Sequence, residues 1–234
     1  MEKLQFDNDY ITLYSPDTLN SVNSRLQDIL LPKIEEYKKL FNIENYRKVI
    51  INYFDDINKF REFIYNARGK KESLPSYATG TFDKGMINSF IDPEKIQTNS
   101  AYYDSVLYTA NHELFHIMYK EIVLKNDYSK RIIWYDEGMA EFMSGEMSNF
   151  NDILKRAIDT TKEIPDLNSL SHGNSFINDK YNGYLLSYVA IHYLYDTLSN
   201  EEFKSLLSDF DKIKLYGQNI VDKAFSYYKH TKIK

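Results

Sequence analysis

Two histidines and a glutamate within five residues carry the clearest chemical signal in the sequence. His112 and His116 are four residues apart inside a helical pattern, and Glu113 directly follows the first histidine. At this spacing both imidazoles project from one helix face about one turn apart, so both can reach one metal ion. Glu113 then lies slightly to the side, where it can take a proton from a water without binding the metal itself. The pattern predicts a zinc-dependent hydrolytic site.

The alternative is a pair of surface histidines on an ordinary helix. The flanking residues disfavour it because they make the helix apolar enough to be buried, where histidines need polar partners; these residues are Leu107, Tyr108, Leu114, Phe115 and Met118. The chain contains no cysteine, so a metal here must be held by His, Asp or Glu side chains.

A catalytic zinc site needs a third protein ligand, and an acidic pair downstream can supply it. Glu137 follows His116 after twenty intervening residues, and Glu141 lies four residues further on, on the same helix face. Two like charges at this spacing are unfavourable unless a cation lies nearby. We expect Glu137 to be the third ligand and Glu141 to accept a hydrogen bond from the outer nitrogen of His112. A solvated acidic face is the alternative, but the surroundings are apolar: Trp134, Met139, Ala140 and Phe142.

The segments HELFH and WYDEGMAEF resemble the gluzincin metallopeptidases, in which a second helix offers the metal its glutamate. The WxxEG element is similar to those of the aminopeptidase-N family and of clostridial collagenases, and EGMAEF is most like the collagenase form. A third segment, from Tyr184 to Phe203, is similar to a late helix of aminopeptidase-N relatives. The resemblance covers residues 85–203 and implies a thermolysin-like catalytic domain with one zinc ion per chain.

The resemblance also implies a role for a tyrosine at the start of the late helix. In the relatives, the hydroxyl of this tyrosine supports the tetrahedral intermediate. Tyr184 matches that position, and Tyr181 and Tyr188 lie about one turn away on either side as alternatives.

A substrate-binding strand is implied by the same resemblance. Aminopeptidases of that family carry a GxMEN strand whose glutamate binds the free amino terminus of the substrate. This chain has Gly85, Met86, Ile87 and Asn88 in that neighbourhood, without the glutamate. We expect residues 85–91 to form an edge strand that pairs with extended substrate. Cleavage within a chain is favoured over removal of N-terminal residues, and collagen itself is not implied.

The elements that must position these residues follow from hydrophobic periodicity. Strands are predicted at residues 10–14, 49–54, 78–82 and 85–91. Helices are predicted at residues 18–41, with a kink or break at Pro32, and at 55–67, 102–123, 135–147, 150–160, 181–198, 201–209 and 220–228. Strands followed by helices, with the change near residue 100, indicate an α+β protein with an N-terminal mixed sheet. We expect an α/β subdomain at 1–125, ending in the HELFH helix, and a helical subdomain at 126–234, carrying the glutamate helix.

Composition narrows the classes of partner. A formal net charge of −5 and a pI near 5.6 give no reason to expect nucleic acid. No apolar run is long enough for a transmembrane helix, so no membrane partner is expected. The first ten residues lack the apolar core of a secretion signal. A cytoplasmic monomer that acts on peptides or proteins is therefore expected, or a secreted one if a leader has been removed.

Three other functions use the same residues. The chain could be an aminopeptidase, a hydrolase of a non-peptide amide, or a metal-binding module without activity. Each catalytic position is filled by a competent residue type, which favours an active peptidase.

Overall fold

The computed structural model describes residues 3–69, 79–83, 85–145, 147, 149–171 and 175–231. The chain divides into two compact units, Met1–Ile117 and Met118–Lys234. The expected subdomain boundary between residues 125 and 126 stays a prediction.

The first unit contains a five-stranded mixed sheet among its described residues. The strands are β1 (Lys3–Asp7), β2 (Ile11–Ser15), β3 (Val49–Phe54), β4 (Gly80–Asp83) and β5 (Met86–Phe90). They lie in the order β1-β2-β3-β5-β4; the β2–β3 and β3–β5 pairs are parallel, and the two outer pairs are antiparallel. β3 is central and largely buried, and all its residues except Asn52 are apolar or aromatic, as in parallel sheets covered on each side. The predicted strands are confirmed within the described residues, but Ala78 lies outside them and β1 was not predicted.

The expectation that residues 85–91 form an edge strand is wrong. β5 pairs with β3 on one side and with β4 on the other, so the backbone of Met86 to Ser89 has neighbours on both sides. β4 is the terminal strand instead. Sequence alternation marks a strand but does not fix its place in a sheet, because strand order depends on pairing between distant segments.

Four helices complete the described part of the first unit: α1 (Asn20–Phe41), α2 (Ile57–Ala67), α3 (Pro93–Thr98) and α4 (Ser100–Met118). α1 runs through Pro32 without a break. Pro32 is exposed, so the carbonyl that loses its hydrogen-bond donor can turn to water. α4 ends earlier than predicted and continues as a π-helix at Tyr119–Val123.

The described part of the second unit is helical. Its α-helices are α5 (Ile133–Ser144), α6 (Phe150–Thr160), α7 (Gly183–Thr197), α8 (Asn200–Ser205), α9 (Phe210–Gly217) and α10 (Ile220–Thr231). α7 is the central helix and contacts α5, α6 and α10. The α+β fold class, with strands before Ser100 and helices after it, is confirmed for the described chain. No described helix is both long and apolar enough to cross a membrane.

Candidate metal centre and its surroundings

The Nε2 atoms of the two histidines of α4 lie close together. His112 Nε2 lies 2.9 Å from His116 Nε2, and the ring centroids are 4.7 Å apart. His116 is buried, whereas His112 and Glu113 are half-buried. One helix turn therefore presents two imidazole nitrogens side by side, and the residue after His112 carries a carboxylate.

The orientation of α4 is fixed by its packing against an aromatic cluster on α1. Phe115 packs edge-on against Tyr37, at 5.9 Å between centroids, and lies 5.7 Å from the ring of Phe41. The hydroxyl of Tyr37 donates a hydrogen bond to the main-chain carbonyl of Asn111, at 3.3 Å. Because Phe115 lies between the histidines and is anchored on α1, the rotation of α4 about its axis is set by core packing.

Glu137 on α5 is buried at 4% exposure and is held by an arginine. Arg131 Nη2 donates to Glu137 Oε1 at 2.9 Å, and Arg131 Nε donates to Asp136. Burial lowers the pKa of Arg131, but the charges of Asp136 and Glu137 more than offset this and leave it above its ordinary value. One guanidinium thus binds two neighbouring buried carboxylates.

Sequence reasoning missed Arg131. The available signal was a basic residue five and six positions before two acids at the start of a helix. That spacing is not a regular helical pair, because Arg131 precedes α5 and its side chain folds back onto the first turn. The contact becomes visible only when the path of the chain is known.

Gly138, directly after Glu137, allows α5 to approach α7 closely. A Cβ at this position would lie 2.7 Å from the carbonyl oxygen of Ser187 and 2.8 Å from Cγ1 of Ile191. Such distances are too short for a side chain, so only glycine permits this helix contact. The glycine of the WxxEG element is therefore explained by packing.

The tryptophan of the same element fastens the start of α5. Trp134 is fully buried, and its Nε1 donates to Oδ1 of Asn168 at 3.3 Å. Asn168 in turn donates to the carbonyl of Lys214 at 2.8 Å. The indole is thus satisfied in the core, and the helix that carries Glu137 is tied to the chain around Asn168 and α9.

His112, His116 and Glu137 form a group whose ligand atoms all lie within 4.8 Å of one another. Two histidines and a glutamate are a known donor set for catalytic Zn²⁺. Two nitrogens that ligate one tetrahedral Zn²⁺ lie about 3.3 Å apart, close to the 2.9 Å between these Nε2 atoms. The residues therefore fit a zinc ion with small side-chain adjustments.

A family model described as collagenase matches residues 82–224, which is more than half of the chain and includes all three residues of this group. The chain belongs to the collagenase family of zinc metallopeptidases. No curated protein matches the chain.

The three tyrosines considered for this collagenase-family chain lie in different surroundings. Tyr181 donates to the carbonyl of Ser175 at 3.1 Å, and Tyr188 donates to the carbonyl of Met147 at 2.7 Å. Burial, followed by the charge of Glu141, raises the pKa of Tyr188 to about 12. Tyr184 is half-buried in the first turn of α7, and its ring packs edge-on against Phe176 at 4.7 Å.

The remaining predicted residues have defined places but untested roles. Glu141 is buried on α5, one turn after Glu137, and its charge contributes to the raised pKa of Tyr188. Its hydrogen bond to His112 stays a prediction. Asn88, from the predicted substrate segment, is buried inside the sheet and accepts a hydrogen bond from Asn52 Nδ2 at 2.8 Å. Its side chain stabilises β5 against β3.

Proposed function

We propose that this chain is a zinc endopeptidase of the gluzincin type, with His112, His116 and Glu137 as the metal ligands. The observation that supports this proposal most directly is that the potential ligand atoms of these three residues all lie within 4.8 Å of one another. The family assignment makes peptide hydrolysis the reaction to test. A bound zinc ion would supply a Lewis acid that lowers the pKa of water toward neutrality and polarises a carbonyl group.

Glu113 is the proposed general base. It follows His112 on α4, so its side chain projects from the helix beside the two histidines and not in line with them. In this role it takes the proton of the attacking water and passes it to the leaving amine. Its half-buried position suits this task, because a base must reach both water and substrate.

Tyr184 is the proposed donor to the oxyanion of the tetrahedral intermediate. One observation supports this role. Tyr184 lies one turn before Ser187, whose main-chain carbonyl lies against Gly138 of α5, so Tyr184 belongs to the stripe of α7 that faces the glutamate helix.

Cleavage within a chain is proposed because residues 85–88 lack the acidic side chain with which aminopeptidases bind a free amino terminus. The segment Gly85-Met86-Ile87-Asn88 contains no acidic side chain. A peptide blocked at its amino end should therefore be cleaved as readily as a free one. Equal cleavage of the two supports an endopeptidase, and strict dependence on a free amino group supports the aminopeptidase alternative.

The test of the proposed function is Glu113→Gln in the zinc-loaded protein. The amide cannot accept the proton of water, so we expect kcat/KM on casein, gelatin or a peptide library to fall by about 10² to 10⁴-fold, with zinc content unchanged. Glu94→Gln, the same change at an exposed position on α3, serves as the control and should behave like the wild type. Wild-type rates in Glu113→Gln would remove the general base from the proposal.

A further inference from the structure

A cavity of about 110 Å³ lies in the first unit, against the helix that carries the two histidines. α4 supplies one wall through Tyr102, Ser105, Val106 and Thr109. The other wall includes Gly80 at the start of β4 and Ser89 near the end of β5. None of its lining residues belongs to the group formed by His112, His116 and Glu137.

The helix wall of the cavity and the histidines belong to one stripe of α4. Ser105, Thr109, His112 and His116 are spaced by four, three and four residues, which keeps them on one helix face. At a rise of 1.5 Å per residue, Ser105 lies about 10 Å before His112 along the axis. An extended peptide covers that distance in about three residues.

The sheet wall gives a path for such a peptide. β4 is one of the two terminal strands of the described sheet, and its first residue, Gly80, lines the cavity. Extended peptides commonly bind by adding a strand to a sheet edge. A peptide paired with β4 would therefore pass next to the cavity and could place one side chain in it.

The lining selects uncharged side chains. Among the described lining residues none is charged. Its helix-side hydroxyls already have protein partners: Tyr102 accepts from the amide of Asp92, Ser105 donates to the carbonyl of Tyr102, and Thr109 donates to the carbonyl of Ser105. A charged side chain would lose its water without gaining a counter-charge, which is costly.

The volume selects small side chains. A closed cavity of about 150 Å³ holds one benzene molecule, and this cavity is smaller and partly open. A phenyl ring would therefore be seated only in part, whereas the side chains of alanine, valine, threonine or proline fit inside. We propose that the cavity is a specificity subsite for one small uncharged side chain, about three residues from the cleaved bond. This inference rests on the proposed peptidase function.

The test uses two variants that change the size of the cavity in opposite directions. Ser105→Leu adds bulk on the α4 wall, and Val106→Ala removes it. Ser100→Leu is the matched control, because it makes the same change on α4 at an exposed position outside the cavity. All three leave the proposed metal ligands, Glu113 and Tyr184 unchanged. The substrates are sets of peptides. Within a set, the peptides differ only at one position, which carries Ala, Val, Phe or Lys, and each set varies a different position.

We expect the wild type to prefer Ala and Val over Phe and Lys at one position near the third residue from the cleaved bond. Ser105→Leu should lower kcat/KM for the Val peptide relative to the Ala peptide by about 10 to 200-fold, the usual effect of one methylene group too many for a pocket. Val106→Ala should raise kcat/KM for the Phe peptide relative to that for the Val peptide by about tenfold. Ser100→Leu should keep the wild-type profile.

Three results would overturn the subsite. If zinc-loaded wild type cleaves peptides without discrimination at any scanned position, the subsite is wrong and the peptidase stands. The subsite is also wrong, and the peptidase stands, if Ser105→Leu and Val106→Ala are both active with the wild-type profile. The conclusion is the same if Ser105→Leu fails to fold and Val106→Ala keeps the wild-type profile. If zinc-loaded wild type cleaves none of the peptides, the proposed function fails and the subsite fails with it.

Discussion

At the residue scale, the site depends on how Glu137 is held. Arg131 binds one carboxylate oxygen of Glu137 and is itself neutralised in part by Asp136, and all three side chains are largely buried. Groups that bind the outer side of a metal ligand fix its orientation. Arg131 is therefore placed to orient Glu137, the proposed third ligand.

We therefore predict that Arg131→Met weakens zinc binding by about 10 to 100-fold, the range found when such supporting contacts are lost. The measurement is the zinc dissociation constant from competition with a chelator. Lys130→Met is the matched control, because Lys130 is the adjacent cation and its partner Asp127 lies in an exposed pair. Unchanged or tighter zinc binding in Arg131→Met would contradict the prediction, and equal changes in both variants would show that overall charge rather than this contact governs affinity.

At the element scale, the site depends on the contact between α5 and α7. Gly138 brings these helices together directly beside Glu137, and Trp134 ties the start of α5 to Asn168. The glycine and the tryptophan of one short sequence element thus fix the same helix at two points. Both contacts are made with residues well removed in sequence.

We predict that Gly138→Ala destabilises the protein and weakens the zinc site together. The new methyl group would collide with the main chain of α7 at Ser187, so the helices must separate, at a cost of about 1–3 kcal/mol. Denaturant unfolding measures the first effect and zinc competition the second. Wild-type stability in Gly138→Ala would mean that the two helices are farther apart than the structure has them.

The elements also show what sequence alone could and could not provide. The arrangement of His112, Glu113 and His116 was predictable because helical spacing is local, and α6 was predicted with its observed ends. The internal position of β5 was not, because it depends on pairing with β3 and β4. α9 and β1 were missed as well; both are short, and few of their residues are fully buried. The contact of Arg131 with Glu137 required the path of the chain before α5.

At the scale of the whole molecule, buried tyrosines link stability to pH. Burial raises the pKa of Tyr37, Tyr53 and Tyr135 above the ordinary value of 10.0. The folded state then holds these protons more tightly than the unfolded state does. The contribution of these protonated tyrosines to the free energy of unfolding is complete below pH 10 and is lost as the pH rises above 10. The protein should therefore unfold in alkali, beginning near pH 10.

Tyr53 on β3 allows this to be tested at one residue. Its hydroxyl is buried and has no hydrogen-bond partner among the described residues. We predict that Tyr53→Phe leaves the free energy of unfolding at pH 7 unchanged or raises it by about 1 kcal/mol, since an unsatisfied polar group is removed. Above pH 10 its stability should fall less steeply, by about 1.4 kcal/mol per pH unit. Tyr65→Phe, the same change at an exposed tyrosine on α2, is the control, and a parallel decline in both variants would refute the prediction.

The central claim is that His112, His116 and Glu137 together hold one zinc ion, and elemental analysis of purified protein tests it most directly. Wild type, His116→Ala and Glu137→Ala would be compared after zinc loading and removal of excess metal, with circular dichroism to show that each variant is folded. We predict about one zinc ion per wild-type chain and loss of tightly bound zinc in both variants. Retention of zinc by folded Glu137→Ala, or a wild type that binds none, would contradict the account.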